Sequence, residues 1–226
     1  MEKIKNFGSN IWNNKRYRYI LIGCIVAIIL LIIIIIIIAA CITKKKKRNE
    51  CCKKPYDVEQ YSDKKIKKAI KKCGYKEDSD LFTFIFNATT RHNDYRACHN
   101  AGPLLPNCEL MEISQSYAEK MPSDHSHATF HGEWMGENLY WIWNGKPTGF
   151  DPVDAWYNEI KDYDFETYSS KNGNKVGHFT QLIWKDSKEL GVGFYCNSNK
   201  CCVVANYYPG GNILNEQAKQ VENLKK

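Results

Sequence analysis

The chain has 226 residues and carries 32 Lys and Arg against 25 Asp and Glu, a formal net charge of +7. The excess sits at one end: residues 1–73 hold 18 basic and 5 acidic side chains, a net +13, whereas residues 74–226 hold 14 and 20, a net −6. A nucleic-acid surface needs its Lys and Arg on the folded domain, where they neutralise phosphates, so this distribution excludes a nucleic-acid partner for the C-terminal part, which is long enough to bury one sizeable core.

Residues 1–19 form a basic tail containing Lys3, Lys5, Lys15, Arg16 and Arg18. Ile20 to Ile42 follows as an apolar run of 23 residues without a charge. As a helix it reaches about 34 Å, enough to cross the ~30 Å core of a bilayer. A cleaved secretory signal is the alternative, and Ala39-Ala40-Cys41 offers the small residues for it. The apolar core of a signal is only about 7–15 residues, so an uncleaved transmembrane anchor is predicted. Tyr17 and Tyr19 then fall at one interface and Lys44 to Arg48 at the other, against lipid phosphates. Counting basic residues on either flank places the domain weakly towards the cytoplasm. The cysteines point the other way: Cys51, Cys52, Cys73, Cys98, Cys108, Cys196, Cys201 and Cys202 all follow the span, a density that suits an oxidising compartment. Asn87-Ala88-Thr89 adds a glycosylation sequon, with Asn87 as acceptor. The cysteines outweigh the small charge difference. The expectation is a single-pass type II protein with its domain extracellular or lumenal, secretion after cleavage being the alternative.

Residues 43–79 are Lys-rich and poor in large apolar residues, and read as a solvated stalk. Within it Asp63 to Lys72 has the spacing of a short helix with Ile66 and Ile70 on one face. The domain proper is expected over residues 80–215, with a C-terminal tail at 216–226. Leu81, Ile85, Ala88, His92, Tyr95 and His99 recur at steps of three and four and mark the inner face of a first helix. Asn87, Arg91, Asp94 and Cys98 lie on the other face, leaving Cys98 free to bridge. A second helix is expected from Glu109 to Met121, with Leu110, Ile113, Tyr117 and Met121 as its stripe and Pro122 as its stop. Asp151-Pro152 reads as the N-cap and first residue of a third, whose face is Val153, Trp156, Tyr157 and Ile160 and whose Glu159 flanks the core.

Three closing strands are expected at about Gln181 to Trp184, Leu190 to Tyr195 and Cys202 to Tyr208. The polar loop between Cys196 and Cys201 reads as a hairpin, where facing positions come within disulfide reach. Cys201 and Cys202 point to opposite faces, so only one of them pairs with Cys196; Cys201 is taken as the partner, with Cys202 the alternative.

Two segments carry a family resemblance. One is Gly177-His178-Phe179-Thr180-Gln181-Leu182-Ile183-Trp184-Lys185 followed by Leu190-Gly191-Val192-Gly193; the other is Tyr207-Tyr208-Pro209-Gly210-Gly211-Asn212-Ile213. Together they resemble the signature motifs of the CAP superfamily: cysteine-rich secretory proteins, antigen 5 and pathogenesis-related class 1 proteins. His92-Asn93-Asp94-Tyr95-Arg96 is similar to that family's first helix, where the histidine is usually structural, and the chain also looks like the nematode venom-allergen-like branch. The resemblance implies an α+β, three-layer α-β-α sandwich, here behind an N-terminal transmembrane helix. It further implies a cleft lined by two histidines and two glutamates, which fall on His125, Glu137, Glu159 and His178. His127 and His131 lie close to His125, and His125-Ser126-His127 offers two registers. Imidazole nitrogen and carboxylate oxygen are ordinary ligands for Zn2+, so Zn2+ is the cofactor expected of such a cleft. They can equally satisfy one another by hydrogen bonds. Aromatics are dense from Phe130 to Phe150, and core or loop packing explains most of them. Some family members bind sterols or fatty acids through the loop equivalent to His127 to Met135, which makes Phe130 and Trp134 the lipid-contact candidates here. No Gly-x-Ser-x-Gly elbow and no His-Glu-x-x-His helix is present, Ser126 beside His125 is a weak nucleophile, and an enzyme is not the expected reading. The expected function is binding by a membrane-anchored domain: of a lipid or sterol, or of a host or cell-surface protein. A metal-dependent hydrolase using the same cleft is the competing class, and a purely structural interaction domain is third.

Overall fold

Strand β8, Lys200–Tyr208, organises the domain, because its residues alternate between two separate interiors. In the computed structural model, which describes residues 19, 20, 22–36 and 62–224, β8 is flanked on one side by β7, Glu189–Cys196, and on the other by β4, Gly136–Trp143, both antiparallel. The short β1, Leu105–Pro106, joins β7 in parallel, giving the order β1-β7-β8-β4 with β4 at an edge; β2 (Thr129–Phe130) pairs with β3 (Glu133–Trp134), and β5 (Tyr163–Asp164) with β6 (Ser169–Ser170), outside this sheet. Val203, Ala205 and Tyr207 face the larger core, shared with helices α1 (Asp63–Lys72), α2 (Asp80–Cys98), α4 (Phe150–Tyr157) and α5 (Gly177–Leu182). Cys202 and Val204 face the other way, towards Ala118 of α3, Cys108–Glu119. Strand alternation therefore builds the three-layer α-β-α sandwich that the sequence led us to expect.

Helix α3 lies unusually close to the sheet. A Cβ added at Gly191 would overlap the Leu110 backbone, and one at Gly193 would overlap the Ser114 and Gln115 backbone. The buried stripe of α3 is Leu110, Met111, Ser114 and Ala118. The larger Ile113 and Tyr117, expected to face inward, flank this contact half-buried.

Other expectations are corrected as well. The segment at 63–73 is not solvated: Ile66 and Ile70 are 2 % and 0 % exposed in the main core, and Cys73 is bonded to Cys108 of α3. Its lysines line one face and conceal a well-placed pair of isoleucines on the other. Residues expected to open a strand at Gln181 instead end α5, whose Phe179 and Leu182 are buried, as is its C-cap residue Ile183. Helix α4 begins at Phe150 after Gly149, at φ 84°, rather than at Pro152. Asp151 serves that turn from inside, accepting from Thr148 N (2.7 Å) and Oγ1 (2.8 Å). Finally, Gly136–Trp143, which was not among the three expected strands, is the edge strand β4.

Cys196 is bonded to Cys201, with Cα atoms 4.0 Å apart, while Cys202 is a buried free thiol on the opposite face. Cys98 is disulfide-bonded as well. The C-terminal segment docks rather than trailing away: Val221 is buried and Lys185 pairs with Glu222 at 2.5 Å. The chain divides into two units, residues 1–50 and 51–226, and residues 22–36 of the first are helical and exposed. Among the described residues no helix is long and apolar enough to cross a membrane. The rest of the apolar run, Leu21 and residues 37–42, lies outside the described residues, as do Cys51 and Cys52.

Candidate functional site

Glu137 and Asn138 are consecutive on β4 and point to opposite faces of the sheet. Glu137 stands opposite Asn206 of β8, whose Nδ2 donates to its Oε2 at 3.3 Å, while Asn206 Oδ1 accepts from Ser114 Oγ of α3 at 2.7 Å. The same carboxylate draws in the loop after α3. Ser126 N and His125 Nδ1 donate to Oε1 at 2.8 and 2.9 Å, and Ser126 Oγ donates to Oε2 at 2.6 Å.

On the other face, Asn138 Nδ2 donates to the His178 carbonyl at 3.0 Å and to Tyr207 Oη at 3.1 Å. His178 is the second residue of α5, a helix whose N-cap residue, Val176, supplies no side-chain acceptor. Glu159 supplies it from a 3-10 turn, Asn158–Asp162, that follows α4. Glu159 Oε2 accepts from His178 N (3.0 Å) and Phe179 N (3.1 Å), and Oε1 accepts from His178 Nδ1 at 2.6 Å. One carboxylate thus satisfies two orphan helix amides and orients the imidazole. Glu159 is half-buried and flanks the core, as expected, and from this turn it reaches the start of α5.

Two His–Glu dyads therefore face each other across the open edge of β4. The His125 and His178 rings have centroids 6.4 Å apart. Both line a cleft of about 390 Å³, with Ser123, Asp124 and Lys175 at its mouth and Leu139 and Trp141 along its floor. Because a carboxylate only accepts, each Nδ1 carries the proton in the neutral ring, and each Nε2 presents a lone pair. Neither Nε2 makes a hydrogen bond among the described residues. The Glu137 hydrogen bond pushes the His125 pKa up, against an opposing burial effect. Burial is the largest influence on Glu137 and raises its pKa, but the hydrogen bonds from His125, Ser126 and Asn206 outweigh it and hold the carboxyl below its ordinary value.

The four predicted residues thus come together as dyads rather than as one ligand shell. Among the described residues no group of three or more His, Cys, Asp or Glu is arranged to hold a metal ion. The histidine register falls on His125; His127 has φ 50° and is absent from the cleft lining. Ser126 has its hydroxyl on a carboxylate and no imidazole on its oxygen, so no Ser–His pair forms. Phe130 is buried against Leu110 and Met135, and Trp134 is 50 % exposed with its indole donating to Gly211 O at 3.1 Å; neither lines the cleft.

Asn87 is half-buried in α2, its Nδ2 donating to Thr148 O at 3.0 Å, and the sequon's Thr89 is fully buried. Sequence reasoning missed Arg96, which is 0 % exposed and donates to the carbonyls of Gly102, Leu182, Trp184 and Ser187 at 2.6–3.0 Å. This cation ties α2 to the loop after α5 and so fixes the segment that carries His178. His92 is structural, as expected: Nδ1 donates to Ala88 O at 2.8 Å and Nε2 accepts from Tyr207 Oη at 2.7 Å, and burial drives its pKa down to about 3.

The domain has relatives among known proteins. Residues 89–207 match the family model of the cysteine-rich secretory protein (CAP) family. The chain is 39 % identical over 130 residues to the human Golgi-associated plant pathogenesis-related protein 1, covering 55 % of this chain and 82 % of that protein. It is 32 % identical over 124 residues to tobacco (Nicotiana tabacum) pathogenesis-related protein 1C, covering 54 % and 73 %. The chain belongs to the CAP family. Its fold is that of Schistosoma mansoni venom allergen-like protein 4, with TM-score 0.51 and 20 % identity over 66 % of this chain and 97 % of that one.

Proposed function

We propose that this CAP domain is a binding module whose ligand site is the cleft between His125 and His178, and that the two Nε2 atoms there hold a divalent cation, Zn2+ by donor type. The observation that carries the reading is the pair of imidazoles with their Nδ1 protons committed to Glu137 and Glu159. This is the arrangement that orients a metal-ligating histidine and raises its basicity. His125 and His178 would be the direct ligands and the glutamates their orienting partners, leaving the remaining positions to water or ligand. A bound Zn2+ would supply Lewis acidity in the cleft. The chain's own residues fix the imidazole tautomers and leave Ser126 without a base, which favours binding over hydrolysis.

A lipid ligand is supported by a different surface. Trp134, Ile213 and Leu214 are 50 %, 49 % and 80 % exposed, and Trp134 is pinned to the loop that carries the other two through Gly211. We further propose that the apolar run at 20–42 anchors the chain as a type II membrane protein with the domain outside the cytoplasm. Its charge-free sequence and the cysteine bonds of the domain support this. The test is one preparation of the full chain from a secretory host, examined for bound metal by mass spectrometry and for lipid by organic extraction. Zn2+ near one equivalent, or a co-purifying sterol or fatty acid, is the expected result. A chain free of both, and able to take up neither when offered, overturns the binding-module reading.

A further inference from the structure

The floor of the cleft is an unpaired strand edge. In an antiparallel pair, residues whose amide and carbonyl both turn to the neighbour alternate with residues that turn both away. Asn144, at the end of β4, donates its N–H to Asn199 O on the β8 side at 2.9 Å. The register pairs residues whose numbers keep the same sum, so the even-numbered residues of β4 face β8. The odd-numbered Glu137, Leu139 and Trp141 turn their amides and carbonyls to the open side. Leu139 confirms this independently, because its carbonyl accepts from the Trp156 indole of α4 at 3.0 Å rather than from β8. The amides of Glu137, Leu139 and Trp141 and the carbonyls of Glu137 and Trp141 have no partner among the described residues. These three residues all line the cleft.

Exposed edges of this kind are templates for strand pairing and are normally blunted by charge, proline or cover. Here the edge is instead set at the bottom of a slot. One wall carries His125 and Asp124 from the α3 layer; the other carries Gly177 and His178 from the α5 layer. From Glu137 to Trp141 the edge runs about 14 Å, the length of a short extended segment. A compact small molecule of the same volume leaves these alternating donors and acceptors unpaired, whereas an extended backbone matches their period.

We propose that the cleft receives an extended peptide segment of another protein, which adds to β4 as a strand through the amides of Glu137, Leu139 and Trp141 and the carbonyls of Glu137 and Trp141, the Leu139 carbonyl staying with Trp156. The proposal rests on the cleft being a ligand site and names the class of partner it takes. Affinity comes from main-chain hydrogen bonds, so many sequences fit, and the walls select among them.

The test uses the full chain in detergent micelles. A phage library of random dodecapeptides is selected on it, and the peptides recovered are synthesised for two measurements. Amide hydrogen exchange with and without peptide should show new protection at Glu137, Leu139 and Trp141, while Asn138 and Tyr140, already bonded to β8, change little. Peptides N-methylated at every second residue should lose affinity roughly threefold to tenfold per blocked bond in one register and keep it in the other. A library that yields no cleft-binding peptide overturns the inference. Peptides that bind without the alternating protection, or with equal sensitivity in both registers, also overturn it, since recognition is then by side chains. If Zn2+ or lipid binds while no peptide does, the binding-module reading stands and strand addition alone fails; if none of the three binds, both fail.

Discussion

Glu137 holds one histidine and Asn138 holds the backbone of the other, so a single step along β4 fixes both halves of the cleft. Residues of this type were legible in the sequence only through the family motifs, because His125, Glu137, Glu159 and His178 come from separate segments and no spacing marks them. That they hydrogen-bond one another was one of the readings the residue types allowed; which histidine takes which glutamate was not legible. Glu159 meets His178 from a 3-10 turn after α4, at a helix start that needs an acceptor, and neither feature is marked in the sequence. The buried histidines follow simpler rules. His99 is fully buried, donates from Nδ1 to Glu222 O at 2.6 Å, and has its pKa lowered by burial to about 4. A histidine whose folded pKa lies below its unfolded value costs stability when it must take up a proton. The unfolded chain gains the proton first as pH falls below 6.5, and stability is lost progressively down to the folded pKa. His99 alone therefore adds a slope approaching 1.4 kcal/mol per pH unit, roughly, between pH 6 and pH 4. Urea unfolding of the full chain across this range should show that slope reduced in His99→Gln. An unchanged acid limb in the variant would mean His99 titrates normally in the folded protein.

Helices were legible where their apolar spacing was regular, and α1 shows the limit of that reading. Its boundaries and its Ile66/Ile70 face follow from the pattern, but whether that face is covered depends on a partner surface the pattern cannot show. Six lysines in ten residues argued for water; two isoleucines and a disulfide to α3 carry the segment into the core. The same limit applies to β4, whose tryptophans and tyrosine suit either a strand or an aromatic loop. Its identity as a strand is set by pairing with β8. If α1 is integral to the domain, Ile70→Ala removes a fully buried side chain and should cost about 2–5 kcal/mol. Denaturant midpoints measured on oxidised protein test this. A change below roughly 0.5 kcal/mol is what a solvated stalk would give.

At the scale of the whole chain, a basic and apolar N-terminal stretch was legible from charge and hydropathy, and the sandwich from the motifs, but the edge of the domain was not, because the lysines of α1 belong to it. Topology across a membrane rests on the cysteines and the sequon. Thr89 is buried once α2 docks, so modification of Asn87 has to precede folding. Expressed in a eukaryotic secretory host, the full chain should lose mass on glycosidase treatment, and Asn87→Gln should abolish that shift. A domain that resists protease on intact cells and is digested only after permeabilisation would invert the orientation. The central claim, that the paired imidazoles form a cation site, is tested most directly by calorimetric titration of the full chain with Zn2+ at neutral pH. Binding should fall more than tenfold in His178→Ala, by about 10–100-fold in Glu159→Gln, and not at all in His127→Ala. It should also weaken as pH falls through the raised pKa of His125, where Nε2 takes up a proton instead. Equal Zn2+ affinity in the wild type and His178→Ala would contradict the account.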